Sequence, residues 1–320
     1  MLSRVAEALF WMSRYIERAE SVARFIDVNI NLVLDLAQES AAQWEPLVNT
    51  TGDHLAFKEQ YGTASRENVI RFLAFDRENP NSIVSCLCAA RENARCIREA
   101  ISSDMWEQLN TLYLQVNQQV QPPMALGELE GFFAEIKRGA HMFRGVTDAT
   151  MSRNEGWHFY RMGQMLERAD KTARILDVKY FMLLPSVTDI GSPVDDIQWS
   201  AVLRSCSGLQ MYRKCWRRIL PERIVEFLAL DREFPRAMHY CVIKADESLH
   251  AISGTPVGTF HNPAEQRLGQ LRAELSYANV QDIMLEGLHE FLDSFESKLN
   301  RVGEGIFKTF FALRPVGETV

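Results

Sequence analysis

Residues 16–30 read IERAESVARFIDVNI and residues 166–180 read LERADKTARILDVKY. At an offset of 150, seven of the fifteen positions are identical, where average composition would give about one. Ile16/Leu166, Glu20/Asp170, Phe25/Ile175 and Ile26/Leu176 are close substitutions. A second pair, FLAFDRENP at 72–80 and FLALDREFP at 227–235, matches at seven of nine positions with an offset of 155, which also pairs Trp44 with Trp199, Cys86 with Cys241 and Glu92 with Glu247. Self-similarity at a fixed spacing marks a duplicated supersecondary unit. The expected fold is therefore all-α: one helical bundle over 1–320 built from two pseudo-symmetric repeats, about 1–120 and 150–255, with closing helices near 125–150 and 264–312. Copies of this kind pack about an approximate twofold axis, and the join at 120–126 (VQPPMAL) is too short for a tether.

Composition supports helices. The 320 residues include only 17 glycines and 11 prolines, below the roughly 12% of average proteins. The breaks they supply, with the apolar periodicity, predict helices over 3–38, 42–60, 65–75, 82–101, 103–120, 125–151, 155–182, 195–218, 221–230, 236–252 and 263–312, the last interrupted around Gly303–Gly305. In each FLAxDRExP segment an apolar turn is followed by Asp-Arg and then Pro, so Asp76 and Asp231 are placed to accept backbone amides, with Arg77 and Arg232 beside them at a structural turn. The net charge of −7 argues against wrapping nucleic acid or binding an anionic membrane. Glu7 interrupts the apolar core that a secretory signal needs, and the expected location is cytoplasmic. Six cysteines are too sparse for a disulfide framework. Cys86 and Cys88 point about 200° apart on a helix, so no metal is expected there.

On a helical wheel the first segment carries Val5, Leu9, Met12, Ile16, Ala19, Ala23, Ile26 and Ile30 on one stripe, with Trp11, Tyr15, Val22 and Phe25 opposite. A helix apolar nearly all round runs through the interior, so its charges must be paired or must line a wet cavity. Glu17, Glu20, Arg24 and Asp27 form one arc, with Arg14 and Arg18 on the other side; the second copy repeats the arc as Glu167, Asp170, Arg174 and Asp177, with Arg168 opposite. Pairing within the first arc is open through Glu20/Arg24 and Arg24/Asp27. Two readings stand: an ion-pair network that sets the register of the two helices, or a shared cleft that binds a polar ligand or a partner's peptide.

The opening MLSRVAEALFWMSRYIERAE, the second LERADKTARILDV and the paired FLAxDRExP turns resemble the alpha-E family, bacterial all-helical proteins named for a Glu-Arg motif, over the whole chain. Here the named pair is Glu17-Arg18, echoed by Glu167-Arg168. The resemblance implies association with a circularly permuted ATP-grasp protein and often a transglutaminase-like protease, a system that makes or trims peptide amide bonds. It also implies a Gly-Arg pair ahead of each motif. The chain departs from that pattern with Ser13-Arg14 in the first copy and Gly163-Gln164 in the second, so any binding by the second arginine is weakened.

Enzyme motifs are missing. Di-iron carboxylate chemistry needs Glu-x-x-His on two helices, and the third residues on are Glu20 and Asp170. No nucleophile elbow, P-loop or dinucleotide fingerprint occurs, so no cofactor is expected. His158 beside Trp157, the basic window Arg204–Arg223 and the Trp106–Tyr113 segment each read more simply as core or solvated helix face than as a site. The expected function is a non-ATP-binding component of an ATP-grasp-linked amide-ligase or peptide-modification system. The alternatives are an enzyme using the Glu-Arg pairs for acid-base work on peptide amides, or a structural oligomerisation module.

Overall fold

Helix α1 (Ser3–Leu36) buries every member of the predicted stripe, from Val5 to Ile30, at 8% exposure or less. Val22 and Phe25 on the opposite side are buried too, so α1 is an interior helix. The computed structural model describes residues 1–36, 41–119, 126–181 and 192–312. The predicted breaks at Pro122-Pro123, Pro185 and Gly191, and predicted helix ends at 38, 120, 125 and 182, lie outside these residues. Among the described residues there are helices and turns and no strand. The helices after α1 are α2 (Ala41–Thr51), α3 (His54–Tyr61), α4 (Arg66–Ile70), α5 (Ile83–Cys96), α6 (Ser103–Gln119), α7 (Leu126–Thr150) and α8 (Glu155–Phe181). They continue with α9 (Pro193–Ser205), α10 (Leu209–Cys215), α11 (Pro221–Val225), α12 (Met238–Ser253), α13 (Pro263–Tyr277), α14 (Val280–Glu286) and α15 (Leu288–Ile306). No described helix is long and apolar enough to cross a membrane.

Several predicted helices divide, each for a local reason. The 42–60 helix breaks at Gly52, whose φ of +79° suits glycine. The 195–218 helix breaks at Ser207, which holds φ +53° while Gly208 N–H donates back to the Leu203 carbonyl. The last helix is interrupted at Ala278-Asn279 and at Gly287, not at Gly303–Gly305. At Gly305 a Cβ would stand 3.1–3.2 Å from the backbone of Ala264, so this glycine serves a close approach between α15 and the start of α13. Both FLAxD segments are widened, i→i+5 helical turns, Arg71–Phe75 and Glu226–Leu230, each ending on an extended Asp. Asp76 accepts from Glu78 N–H at 2.9 Å, and Asp231 accepts from Glu233 and Phe234 N–H at 2.7 Å. These are amides of the turn; the cap of α5 is Ser82. Arg77 bonds Asn117, Arg232 reaches the Ser276 carbonyl and Asp76 accepts from Tyr61, which ties the turns to their surroundings.

α1 packs mainly on α8 and α5, α8 on α12, and the remaining long helices cover these as α5–α6–α7 and α12–α13–α15. α1 and α8 run in parallel register, since contacts advance together from Met1/Glu155 through Ser13/Gly163 to Arg18/Glu167. The buried side chains form two apolar clusters, and α1, α5, α6 and α7 pass through both. On α1 the change falls between Ile16 and Ala19, where Glu17 and Arg18 sit.

Cys86, Cys206 and Cys241 are buried, and burial pushes each thiol up to about 12, whereas Cys96 and Cys215 are exposed. A disulfide-exchange reagent should label Cys96 and Cys215 in the native protein and the three buried thiols only after unfolding. Fast labelling of Cys86 or Cys241 would contradict this packing.

Candidate functional site

The Glu-Arg motif is a reciprocal clasp between α1 and α8. Adjacent helix residues point about 100° apart, so the two charges of one motif cannot satisfy each other. Instead Arg168 donates to both oxygens of Glu17, at 2.8 and 2.9 Å, and Arg18 donates to both oxygens of Glu167, at 2.7 and 3.1 Å. Both carboxylates are buried, Glu17 at 2% and Glu167 at 0% exposure. Each has further partners. Arg14 donates to Glu167 at 2.8 Å with Lys171 at 3.6 Å, while Arg144 and Arg236 donate to Glu17 at 3.2 and 3.3 Å. Gln164 stands at the offset of Arg14, and on its side Arg144 and Arg236 supply the extra guanidiniums.

The rest of the predicted arcs divides into members of this network and residues elsewhere. Glu20 pairs with Arg24 and with Arg236 at 2.8 Å, and Asp170 pairs with Lys171 and Arg174 at 3.0 Å. Asp27 turns away from Arg24 to Lys137 at 2.6 Å, and Asp177 bonds His289 at 2.9 Å. Sequence reasoning missed Arg144, Arg236 and Asn81, which accepts from Arg18 at 2.6 Å. A signal existed for two of them: Asn81 and Arg236 are the residues that follow Pro in the two FLAxDRExP segments.

The electrostatics of the clasp oppose acid-base work. Burial pushes Glu17 up, but Arg168, Arg144 and Arg236 outweigh it and hold the carboxyl well below the usual range. Glu167 is held low in the same way, by Arg18, Arg14 and Lys171 against burial. Around Glu17 and Glu20 four guanidiniums face two carboxylates. Burial, with Arg236 and Arg144 adding repulsion, lowers Arg24 to about 9; burial also lowers Arg144 to about 10. His141, 3.5 Å from Glu20, is pushed down to about 4 by burial and by Arg144 and Arg24, so it is neutral at pH 7 and adds no charge to the pair. Among the described residues no group of three or more His, Cys, Asp or Glu side chains could hold a metal ion.

Glu296 closes the other end of the network at 3.1 Å from Arg174, and burial outweighs that arginine to raise its carboxyl to about 7. Its folded value lies above the unfolded one, so its contribution to stability falls as pH rises from about 4.5 through about 7. Glu296→Gln should remove that decline: the variant gains on the parent in denaturation midpoint between pH 4.5 and pH 8. A constant difference across that range would contradict the assignment.

Beside the clasp lies a cleft of about 570 Å³ between the C-terminal part of α7 and the N-terminal part of α8, walled by Arg144, Arg153, Arg161 and Arg168 with Trp157 and Tyr160. Trp157 has the Arg153 guanidinium 4.4 Å and the Arg161 guanidinium 5.0 Å from its ring centroid. His158 packs edge-on against Trp157 and is lowered by burial and by Arg161. Trp106 and Tyr113 serve packing, under Arg91 at 5.5 and 4.9 Å. In the basic window Arg213, Lys214, Arg217 and Arg218 are exposed.

The chain is 21% identical over 337 aligned residues to Uncharacterized protein Mb2597 of Mycobacterium bovis and to Uncharacterized protein MT2643 of Mycobacterium tuberculosis, with 97% of this chain covered. It spans little more than a third (37%) of the length of those relatives. No solved structure matches it. Residues 1–311 match the Alpha-E family, described as a predicted alpha-helical domain with a conserved ER motif. With both Glu-Arg dipeptides joined across the two central helices and that match spanning nearly the whole chain, the protein belongs to the Alpha-E family.

Proposed function

We propose that the protein is the non-ATP-binding helical component of an ATP-grasp-linked amide-ligase or peptide-modification system, in which it binds the partner ligase or the peptide substrate. One bundle of two related halves, about 1–120 and 150–255, would hold the clasp at its centre and present the cleft beside it. The observation that carries the reading is the division of labour between them. Glu17 and Glu167 are sealed and saturated by arginines, which suits them to hold two helices and not to exchange protons with a substrate. The adjacent cleft is open and rich in hydrogen-bond donors. The partners are those of the family resemblance, a circularly permuted ATP-grasp protein and a transglutaminase-like protease. Co-expression of the tagged chain with that ATP-grasp protein tests it: a stable complex is expected, with amide formation only when both are present. Amide-bond chemistry by the isolated chain, or no complex under any nucleotide condition, would overturn it.

A further inference from the structure

The α7–α8 cleft gathers more positive charge than the fold needs. Arg144 and Arg168 belong to the clasp, but Arg153 and Arg161 do not. Arg161 has Glu247 at 3.8 Å, beyond hydrogen-bond distance, and Arg153 bonds Asp148, whose side chain is 76% exposed. Both guanidiniums lie against the one indole of Trp157. Behind them Glu17 and Glu20 are already outnumbered by arginines. The concentration is conspicuous in a chain of net charge −7. Clustered guanidiniums repel one another unless an anion joins them, and their planar forks match the two oxygens of a carboxylate or phosphoryl group.

We propose that this cleft binds a ligand bearing an oxyanion, a carboxylate or a phosphoryl group, held between the Arg153 and Arg161 forks with Arg144 and Arg168 behind them and its apolar part on Trp157. The proposal rests on the reading of the protein as a binding component and names the chemistry of what it binds. A peptide carboxylate and a free or transferable phosphate are two sources of that one chemistry. The cleft volume of about 570 Å³ accommodates a group of dipeptide size.

Titration of the isolated full chain at low salt with inorganic phosphate, and separately with N-acetyl-Glu-Glu, followed by tryptophan fluorescence and calorimetry, tests it. Saturable binding is expected, with dissociation constants on the order of 1 mM or tighter, and raised ionic strength should weaken it. Arg153→Gln and Arg161→Gln should each weaken binding by about tenfold. Arg213→Gln, which removes the same charge from an exposed site elsewhere, should change it less than about twofold. Trp157→Phe should abolish the fluorescence response while calorimetry still reports binding. Binding of phosphate alone assigns a phosphoryl ligand, of the dipeptide alone a carboxylate ligand, and of both the shared oxyanion site. No saturation by either probe, or an effect of Arg213→Gln equal to that of Arg161→Gln, overturns it. Oxyanion binding without an ATP-grasp complex keeps the cleft and removes the ligase reading; a complex without oxyanion binding does the reverse.

Discussion

Arg168→Met is expected to destabilise the protein by about 3–5 kcal/mol, because it leaves Glu17 buried at 2% exposure without the two bonds of 2.8 and 2.9 Å that Arg168 supplies. Arg144 and Arg236 remain on Glu17 at 3.2 and 3.3 Å, which places the loss toward the lower end of that range. Arg18→Met should act similarly through Glu167, which would keep Arg14 and the more distant Lys171. Arg168→Lys keeps the charge but not the fork, so its cost should be smaller, about 1–2 kcal/mol. Denaturant unfolding with unchanged slope is the measurement. A loss under about 1 kcal/mol for both Met variants would mean that water or rearranged neighbours satisfy the carboxylates, and the clasp would not be what joins α1 to α8.

Gly163→Ala should cost about 2 kcal/mol, the balance of overpacking at the upper end of its usual range against about 1 kcal/mol of helix propensity gained. A Cβ at Gly163 would lie 2.5 Å from Ser13 Oγ and closer still to the Phe10 carbonyl oxygen, and the carbonyl is rigid helix backbone. The two helices would have to separate one turn from the clasp, lengthening bonds that now measure 2.7–2.9 Å. Gly131→Ala, at an exposed position of α7 with nothing within 4 Å of its Cβ, should instead stabilise by up to about 1 kcal/mol. Opposite signs in thermal or denaturant unfolding verify the contrast. If Gly163→Ala is neutral, the α1–α8 crossing is looser than its contacts indicate.

The helices were legible because their signals are local. Every residue of the predicted α1 stripe is buried, since a 3.6-residue period leaves one way to bury those side chains together. The break at Ser207 was not legible, since serine is no breaker by type and its φ of +53° belongs to the folded turn. The break at Ala278-Asn279 does carry a local signal that the expectation of one helix overlooks: Asn279 caps α14 by accepting from Asp282 N–H. Gly303 and Gly305 look like an interruption in sequence, but Gly305 is needed where α13 comes close. For the site, pairing by helical spacing finds Glu20/Arg24 and Asp170/Arg174, both i,i+4. It cannot find Glu17/Arg168 or Arg18/Glu167, which are 151 and 149 residues apart. The same limit hid Arg144 and Arg236, whose guanidiniums arrive from α7 and from the turn before α12.

The sequence by itself determined an all-helical chain in which the Glu-Arg segment at 16–30 is echoed at 166–180 and its charges must be paired or wetted. Periodicity and breaker scarcity are properties of neighbouring residues, and the likeness of two segments is read without knowing where they meet. Only the tertiary structure decided what those charges do. Two adjacent charges on one helix face different ways, so their partners come from wherever another helix crosses; here the crossing at Ser13 and Gly163 sets the two motifs against each other. Arg153 and Arg161 meet over Trp157 because the three residues stand four apart across the start of α8, a spacing the sequence carries; that α7 brings Arg144 beside them to wall an open cleft is decided by the tertiary structure alone.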